Sequence, residues 1–315
     1  MFEGGLISRR AFLKGGSLLL AGSTLPKSVS MLETRESIRI GMITDIHYAD
    51  ANPRGTRFYR DSLTKMTQAV DAMHQANADL FVELGDLIDS PSHTTKQIDY
   101  QNLYSINNEF SQFEHHRHYV LGNHCLTSLS KREFLSAIGR SWSHYSFNRN
   151  GFHFLVLDSC YRKDGMPYNS GNYDWQDADI PCHQAEWIGY DLRRNNLPTI
   201  VLAHHRLDVD PSSPYGVHSA DRVRRVLEKS GDIVAVFQGH SHQNDYKEIN
   251  GIHYVTLKAM VEGRGLSNNG WSIVHGYSDG TLKVEGFSGH HANAACGRRL
   301  GQGKTTFASV LSSLI

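Results

Sequence analysis

Short apolar runs that end in polar clusters recur along the chain. Residues 38–43 run into Asp45-Ile46-His47, 80–84 into Gly85-Asp86, and 119–121 into Gly122-Asn123-His124. Further on, 199–203 runs into His204-His205 and 233–237 into Gly239-His240-Ser241-His242. Runs this short, apolar on both faces, read as buried strands that deliver polar residues at their C-terminal ends. Between them, residues 60–77 carry Leu63, Met66, Val70 and Met73 on one helical face, and 184–194 and 220–229 also read as helices. Strands alternating with helices predict an α/β fold. Asn150-Gly151, Asn250-Gly251 and Asp279-Gly280 each sit between strand-like segments and predict three tight hairpins, so the sheets are mixed.

The ends of the chain read differently. Ser8-Arg9-Arg10-Ala11-Phe12-Leu13-Lys14, then Gly15-Gly16 and a modest apolar run over 18–21, resembles a bacterial twin-arginine export signal. The other reading is an Arg pair in a frayed terminus. Residues 1–33 are therefore set apart as signal and linker, 34–288 as one domain, and 289–315 as a peripheral tail. The expected partner of the first segment is the twin-arginine export machinery, with a periplasmic or extracellular destination. No run reaches the ~20 apolar residues of a spanning helix, so no membrane span is expected in the mature chain. Within the tail, Gly301-Gln302-Gly303-Lys304-Thr305 looks like the end of a phosphate-binding loop, but that loop needs glycine where Arg298 stands.

Composition narrows the function. Lys+Arg and Asp+Glu are both 32, and without a basic run this argues against nucleic acid as the partner and makes a nuclease the weaker reading. Four Cys do not make a disulfide scaffold. The 19 His carry more information, because His is the commonest metal ligand. Strand ends on one sheet edge converge, so the five clusters can form one site. Donors of Asp, Asn and His type suit Mn, Fe or Zn, the absence of a Cys cluster argues against an iron–sulfur or structural zinc site, and the ligands suffice for two ions.

Taken in order, Asp45-x-His47, Gly85-Asp86, Gly122-Asn123-His124, His204 and Gly239-His240-x-His242 resemble the calcineurin-like metallophosphoesterase superfamily. The resemblance implies a four-layer α/β/β/α sandwich of two mixed sheets with the metals at the strand C-terminal ends. It also implies that Asp45, His47 and His242 hold one metal, that Asn123, His204 and His240 hold the other, and that Asp86 bridges them. A hydroxide shared by the metals would then attack a small phosphorylated substrate, with His124 as general acid. Three positions depart from the pattern. Cys125 replaces the acidic residue that usually follows Gly-Asn-His, so the carboxylate that orients His124 has to come from elsewhere. Asp89 stands where purple acid phosphatases carry an iron-binding Tyr, which disfavours a ferric-tyrosinate site. Arg206 follows His205 where Pro is common, either as a cation near the phosphate or as an exposed surface residue.

A closer resemblance, over Tyr48-Ala49-Asp50 and Gly55-Thr56-Arg57-Phe58-Tyr59-Arg60-Asp61-Ser62-Leu63, is to the manganese-dependent ADP-ribose/CDP-alcohol diphosphatase branch and its bacterial relatives. Arg57 and Arg60 could then steer a diphosphate, or they could be solvated residues at a helix start. The long loop 161–181 carries Tyr168, Tyr173 and Trp175, and is expected either to stack on a base at the substrate or to cover the core or a dimer contact. The expected function is an exported dinuclear-metal phosphohydrolase acting on phosphate esters or diphosphates. Alternatives are a general phosphomonoesterase, a cyclic-nucleotide phosphodiesterase, and a catalytically silent metal-binding protein on the same scaffold.

Overall fold

The computed structural model describes residues 5–8, 11–14, 17–20, 35–91 and 95–287. In chain order the elements are β1 (Gly5–Ser8), β2 (Ala11–Lys14), β3 (Ser17–Leu20), β4 (Glu36–Ile43), α1 (Asp61–Gln75), β5 (Leu80–Glu83), α2 (Lys96–Ser111), β6 (His116–Tyr119), α3 (Lys131–Ala137), β7 (Tyr145–Arg149) and β8 (Phe152–Val156). They continue as α4 (Cys182–Leu192), β9 (Thr199–Leu202), α5 (Ala220–Ser230), β10 (Ile233–Gln238), β11 (Asp245–Ile249), β12 (Ile252–Thr256), β13 (Trp271–Tyr277) and β14 (Leu282–Phe287). One sheet has the order β1-β2-β3-β14-β13-β4-β5-β6, and the other β11-β12-β10-β9-β8-β7. The strands β4, β5 and β6 run parallel, as do β8, β9, β10 and β12.

Side-chain alternation along these strands builds the layers. Ile40, Met42 and Val82 of the first sheet meet Phe154, Ile200, Leu202 and Phe237 of the second in one buried cluster. Their neighbours point the other way. Ile43 and Phe81 pack under Met66 and Met73 of α1, Leu103 and Phe110 of α2, and Phe134 of α3. Val201 and Val236 pack under Ile188 and Leu192 of α4 and Val223 and Leu227 of α5. Each buried side chain of this size contributes about 1.5–3 kcal/mol, so both faces of every central strand must be covered. The result is the four-layer α/β/β/α sandwich that the resemblance implies, and β7–β8, β11–β12 and β13–β14 are the three hairpins.

Local differences have physical causes. The strand expected at 119–121 is β6, three residues earlier, because its register is set by β5, which pairs Leu80 with His116 and Glu83 with Tyr119. As an edge strand it tolerates polar residues that a central strand would not. Helix α2 shows little apolar periodicity since its buried face includes Asp99 and Asn102, held by Ser128 Oγ and the Asp50 amide. The run 18–20, set apart above as export signal, forms β3 against β14, with Leu18 and Leu20 buried between the sheets. Leu18 and Leu20 face the core while Leu19 between them does not, so the same run serves as a strand between β2 and β14. Arg9, Arg10, residues 289–315 and the Gly301–Thr305 motif lie outside the described residues.

Candidate metal centre

All five polar clusters leave the C-terminal ends of parallel strands on one edge of the sandwich. Backbone bonds lace the ends together: the amides of Asp45 and His47 donate to Gly85 and Asp86 carbonyls at 2.9 and 2.7 Å, and Gly239 donates to His204 at 3.0 Å. Asp45, His47, Asp86, His240 and His242 all have positive φ, between 46° and 68°. For residues with a Cβ this costs of order 1–3 kcal/mol each, and it persists where the surrounding bonds over-determine it. Two glycines of the motifs are required by space. A Cβ on Gly122 would stand 2.2 Å from Asp86 Oδ1, and one on Gly239 would stand 2.0 Å from Thr44 Oγ1.

Two pairs of imidazoles result. His47 Nε2 faces His242 Nε2 at 3.1 Å, with Asp45 Oδ1 at 3.6 and 3.5 Å from the two nitrogens. His204 Nε2 faces His240 Nδ1 at 3.3 Å. Asp86 Oδ2 lies between the pairs, 3.5 Å from His47 Nε2 and 3.1 Å from His204 Nε2. Donors bound at about 2.0–2.2 Å to one cation at right angles stand about 3 Å apart, so both pairs have ligand spacing. The buried Asp45 Oδ1, Asn123 Oδ1 and His240 Nε2 have no hydrogen-bond partner among the described residues. Unpartnered buried oxygens are costly, and cations at the two positions would satisfy Asp45 and Asn123. The residues present therefore fit the implied pair of metals.

Surrounding groups orient these imidazoles. Glu262 Oε1 lies 2.8 Å from His242 Nδ1, the Leu84 carbonyl 2.9 Å from His204 Nδ1, and Asp89 Oδ2 3.1 Å from His47 Nδ1. The other oxygen of Asp89 is 2.8 Å from His124 Nδ1, so Asp89 supplies the carboxylate missing at position 125. Cys125 is instead buried under the first sheet, its thiol pushed up by burial. His205 is buried with Nδ1 2.8 Å from Ser159 Oγ.

The electrostatics are those of a centre that exchanges protons for cations. Burial opposes charge on His47, but the neighbouring carboxylates of Asp45 and Asp89 outweigh it and hold the imidazole at about 9. His204 stands at about 9 for the same reason, its burial outweighed by Asp86. His240 is pushed down to about 3 by burial and the His204 charge, so it accepts where His204 donates. Burial also opposes ionisation of Asp86, yet the charges of His204 and His124 keep its carboxyl well below the ordinary range. Metal ligation needs both His47 and His204 deprotonated, so adding Mn²⁺ to the chelator-stripped protein at pH 7 is expected to release about two protons. Apparent metal affinity should then rise with pH toward about 9. A pH indicator in weak buffer reads this directly, and no release would remove both imidazoles from the ligand set.

The substrate candidates are scattered. Arg57 reaches the site, with Nη1 3.3 Å from Asp89 Oδ2. Arg60 is exposed and pairs with Asp50 and Asn52. Arg206 is buried and held by Asp208 and Asp245, which leaves it no free face for phosphate. Tyr168 is buried, stacked on Tyr173 at 4.1 Å, and Tyr173 donates to the Asn123 carbonyl; both support the Asn123 loop from behind. Only Trp175 of the three aromatics is open, 39% exposed. Glu262, Arg54 and Tyr215 carry no motif, and only their placement shows them.

Residues 38–244 match the calcineurin-like phosphoesterase family. The chain belongs to that family. It is a metal-dependent phosphoesterase, and every cluster described above lies within the matched span. It is 22% identical to an Arabidopsis thaliana manganese-dependent ADP-ribose/CDP-alcohol diphosphatase over 70% of this chain and 86% of the relative. A dimetal phosphatase from Danio rerio has the same fold at a TM-score of 0.67 and 17% identity, covering 82% of this chain and all of that one. A purple acid phosphatase from Lupinus luteus shares it at 0.50 and 15%, covering 79% and 54%. The family and the manganese-dependent relative point to divalent metal ions. Among the described residues no helix is long and apolar enough to cross a membrane.

Proposed function

We propose that the protein hydrolyses the diphosphate linkage of nucleoside diphosphate esters, using two divalent ions, manganese foremost, and that it is exported by the twin-arginine pathway. The observation that carries the substrate reading is a cavity of about 450 Å³ beside the ligand cluster, lined by Arg54, Arg57, Asp89, His124 and Thr127. Two arginines next to the acid suit a second phosphate. Asp45, His47 and His242 would hold one ion, Asn123, His204 and His240 the other, and Asp86 both. Such ions, when bound, neutralise phosphoryl charge and make water nucleophilic near neutral pH. His124 gives its proton to the leaving oxygen, with its ring fixed through Nδ1 by Asp89. The full ligand set speaks against a silent scaffold, because a non-catalytic role does not need an acid held by its own carboxylate.

The test is a substrate panel on the metal-loaded protein. kcat/KM on ADP-ribose should exceed that on glycerol phosphate, and Trp175→Ala should narrow the gap about 5- to 150-fold through KM, the worth of one base stacked on an aromatic ring. An unchanged ratio in the variant removes base stacking from the reading. Export is tested separately: replacing Arg9 and Arg10 by Lys should retain the protein in the cytoplasm, and unchanged export refutes the signal.

A further inference from the structure

Two recognition features flank the centre from opposite imidazole pairs. The amides of Arg54 and Arg57 each donate to the other's carbonyl at 3.1 Å, closing a tight turn over Gly55 and Thr56. Residues paired this way send their side chains to one face, and both arginines line the cavity that contains His124. Arg57 shares its charge with Asp89. Arg54 is exposed and has no carboxylate partner among the described residues. His124 itself packs edge-on against His47, at 4.6 Å. The other feature stands over His240. Trp175 and Tyr215, 39% and 41% exposed, are 5.8 Å apart and 5.8 and 6.1 Å from the His240 ring. Large aromatics left open beside a buried ligand make a stacking wall.

Displacement at phosphorus sets the nucleophile and the leaving oxygen in line, and the leaving oxygen must meet the proton donor. The departing group therefore leaves on the His124 side, where the arginines are. What stays on the attacked phosphorus faces the aromatic wall. We propose that a nucleoside diphosphate ester binds in this one direction, the nucleoside-bearing phosphoryl at the ligand cluster with its base on Trp175 and Tyr215, and the distal phosphate between Arg54 and Arg57. The inference rests on the diphosphate reading above. Water's oxygen bonds to the nucleoside-side phosphorus and the bond from that phosphorus to the bridging oxygen breaks. The bridging oxygen departs with the distal phosphate, taking the His124 proton; one water proton passes to solvent, from which His124 is reprotonated, and the other stays on the new phosphate group. The products are a nucleoside monophosphate and a phosphomonoester.

The experiment is hydrolysis of ADP-ribose by the metal-loaded protein in ¹⁸O water, with mass spectrometry of both products. Label in AMP, with ribose 5-phosphate unlabelled, is the expected result; label in ribose 5-phosphate overturns the direction while leaving the diphosphate reading intact. If ADP-ribose is not cleaved while a simple phosphate ester is, the diphosphate reading itself falls, and the direction with it. Arg54→Ala should raise KM for ADP-ribose about tenfold or more, the worth of a charge-assisted contact. The rise should be smaller on the 4-nitrophenyl ester of AMP, which has no distal phosphate, and an equal rise on both denies Arg54 that role. Binding offers a separate readout: AMP should quench tryptophan fluorescence in the wild type and not in Trp175→Phe. Quenching that persists in the variant removes the aromatic half.

Discussion

Asp86→Asn is expected to abolish turnover and to empty both metal positions. Asp86 Oδ2 is the atom between the two imidazole pairs, 3.5 Å from His47 Nε2 and 3.1 Å from His204 Nε2. Its other oxygen accepts the His124 amide at 2.8 Å. An asparagine can keep that second bond through its carbonyl and so preserve the loop. The amide nitrogen then replaces Oδ2, presenting N–H donors where two cations need a shared anion to offset their repulsion. Removing one preorganised electrostatic group from an active site costs about 10²–10³-fold in kcat, and this group serves both ions, so the loss should be at least that large. Metal analysis after gel filtration is the decisive measurement. Two full equivalents with ordinary turnover would end the bridging role of Asp86, whereas loss of one ion alone would make Asp86 a ligand of a single position.

What could be read in the chain and what could not divides along physical lines. The strand ends were legible because the centre needs donors just where an apolar run stops, and because close approach at Gly122 and Gly239 leaves room for no other residue. A burial pattern that covers every residue of β5, β9 and β10 likewise announces itself as a run that is apolar but for Glu83, Thr199 and Gln238 at the strand ends. Contacts between distant segments have no such signature. Asp89 and His124 are 35 positions apart, and nothing in either neighbourhood marks them as partners. Glu262 stands beyond β12 and reaches His242 only because β12 lies parallel beside β10. The aromatics of the loop show the same limit from the other side. Tyr168, Tyr173 and Trp175 look alike in sequence, yet burial sorts them, two into the support of Asn123 and one onto the surface. Arg206 is similar: in sequence it is either a cation near the phosphate or an exposed surface residue, and the structure makes it neither, because Asp208 and Asp245 hold it buried.

His124→Ala should lower kcat about 10²–10⁴-fold, the usual contribution of a positioned general acid, and leave metal content near that of the wild type. The imidazole belongs to neither imidazole pair: its Nδ1 bonds Asp89 Oδ1 and its ring meets His47 edge-on at an interplanar angle of 74°. His47, Asp89 and His124 nevertheless bring donor atoms within 4.8 Å of one another, so a cation at that triad is the competing arrangement. Leaving-group dependence separates the two. An acid matters most when the departing oxygen is basic, so the loss should be large on an alkyl leaving group and much smaller on a 4-nitrophenyl ester. A cation ligand would lower both alike and cost metal as well. Asp89→Asn adds the second axis, because Asp89 bonds His124 through Oδ1 and His47 through Oδ2. That variant should reproduce a weaker form of the same leaving-group dependence and also lose about 10- to 100-fold in metal affinity, the usual cost of removing a carboxylate behind a metal-bound imidazole. If His124→Ala loses metal, or if its defect is equal on both classes of leaving group, His124 belongs to the ligand set and the proton must come from another group.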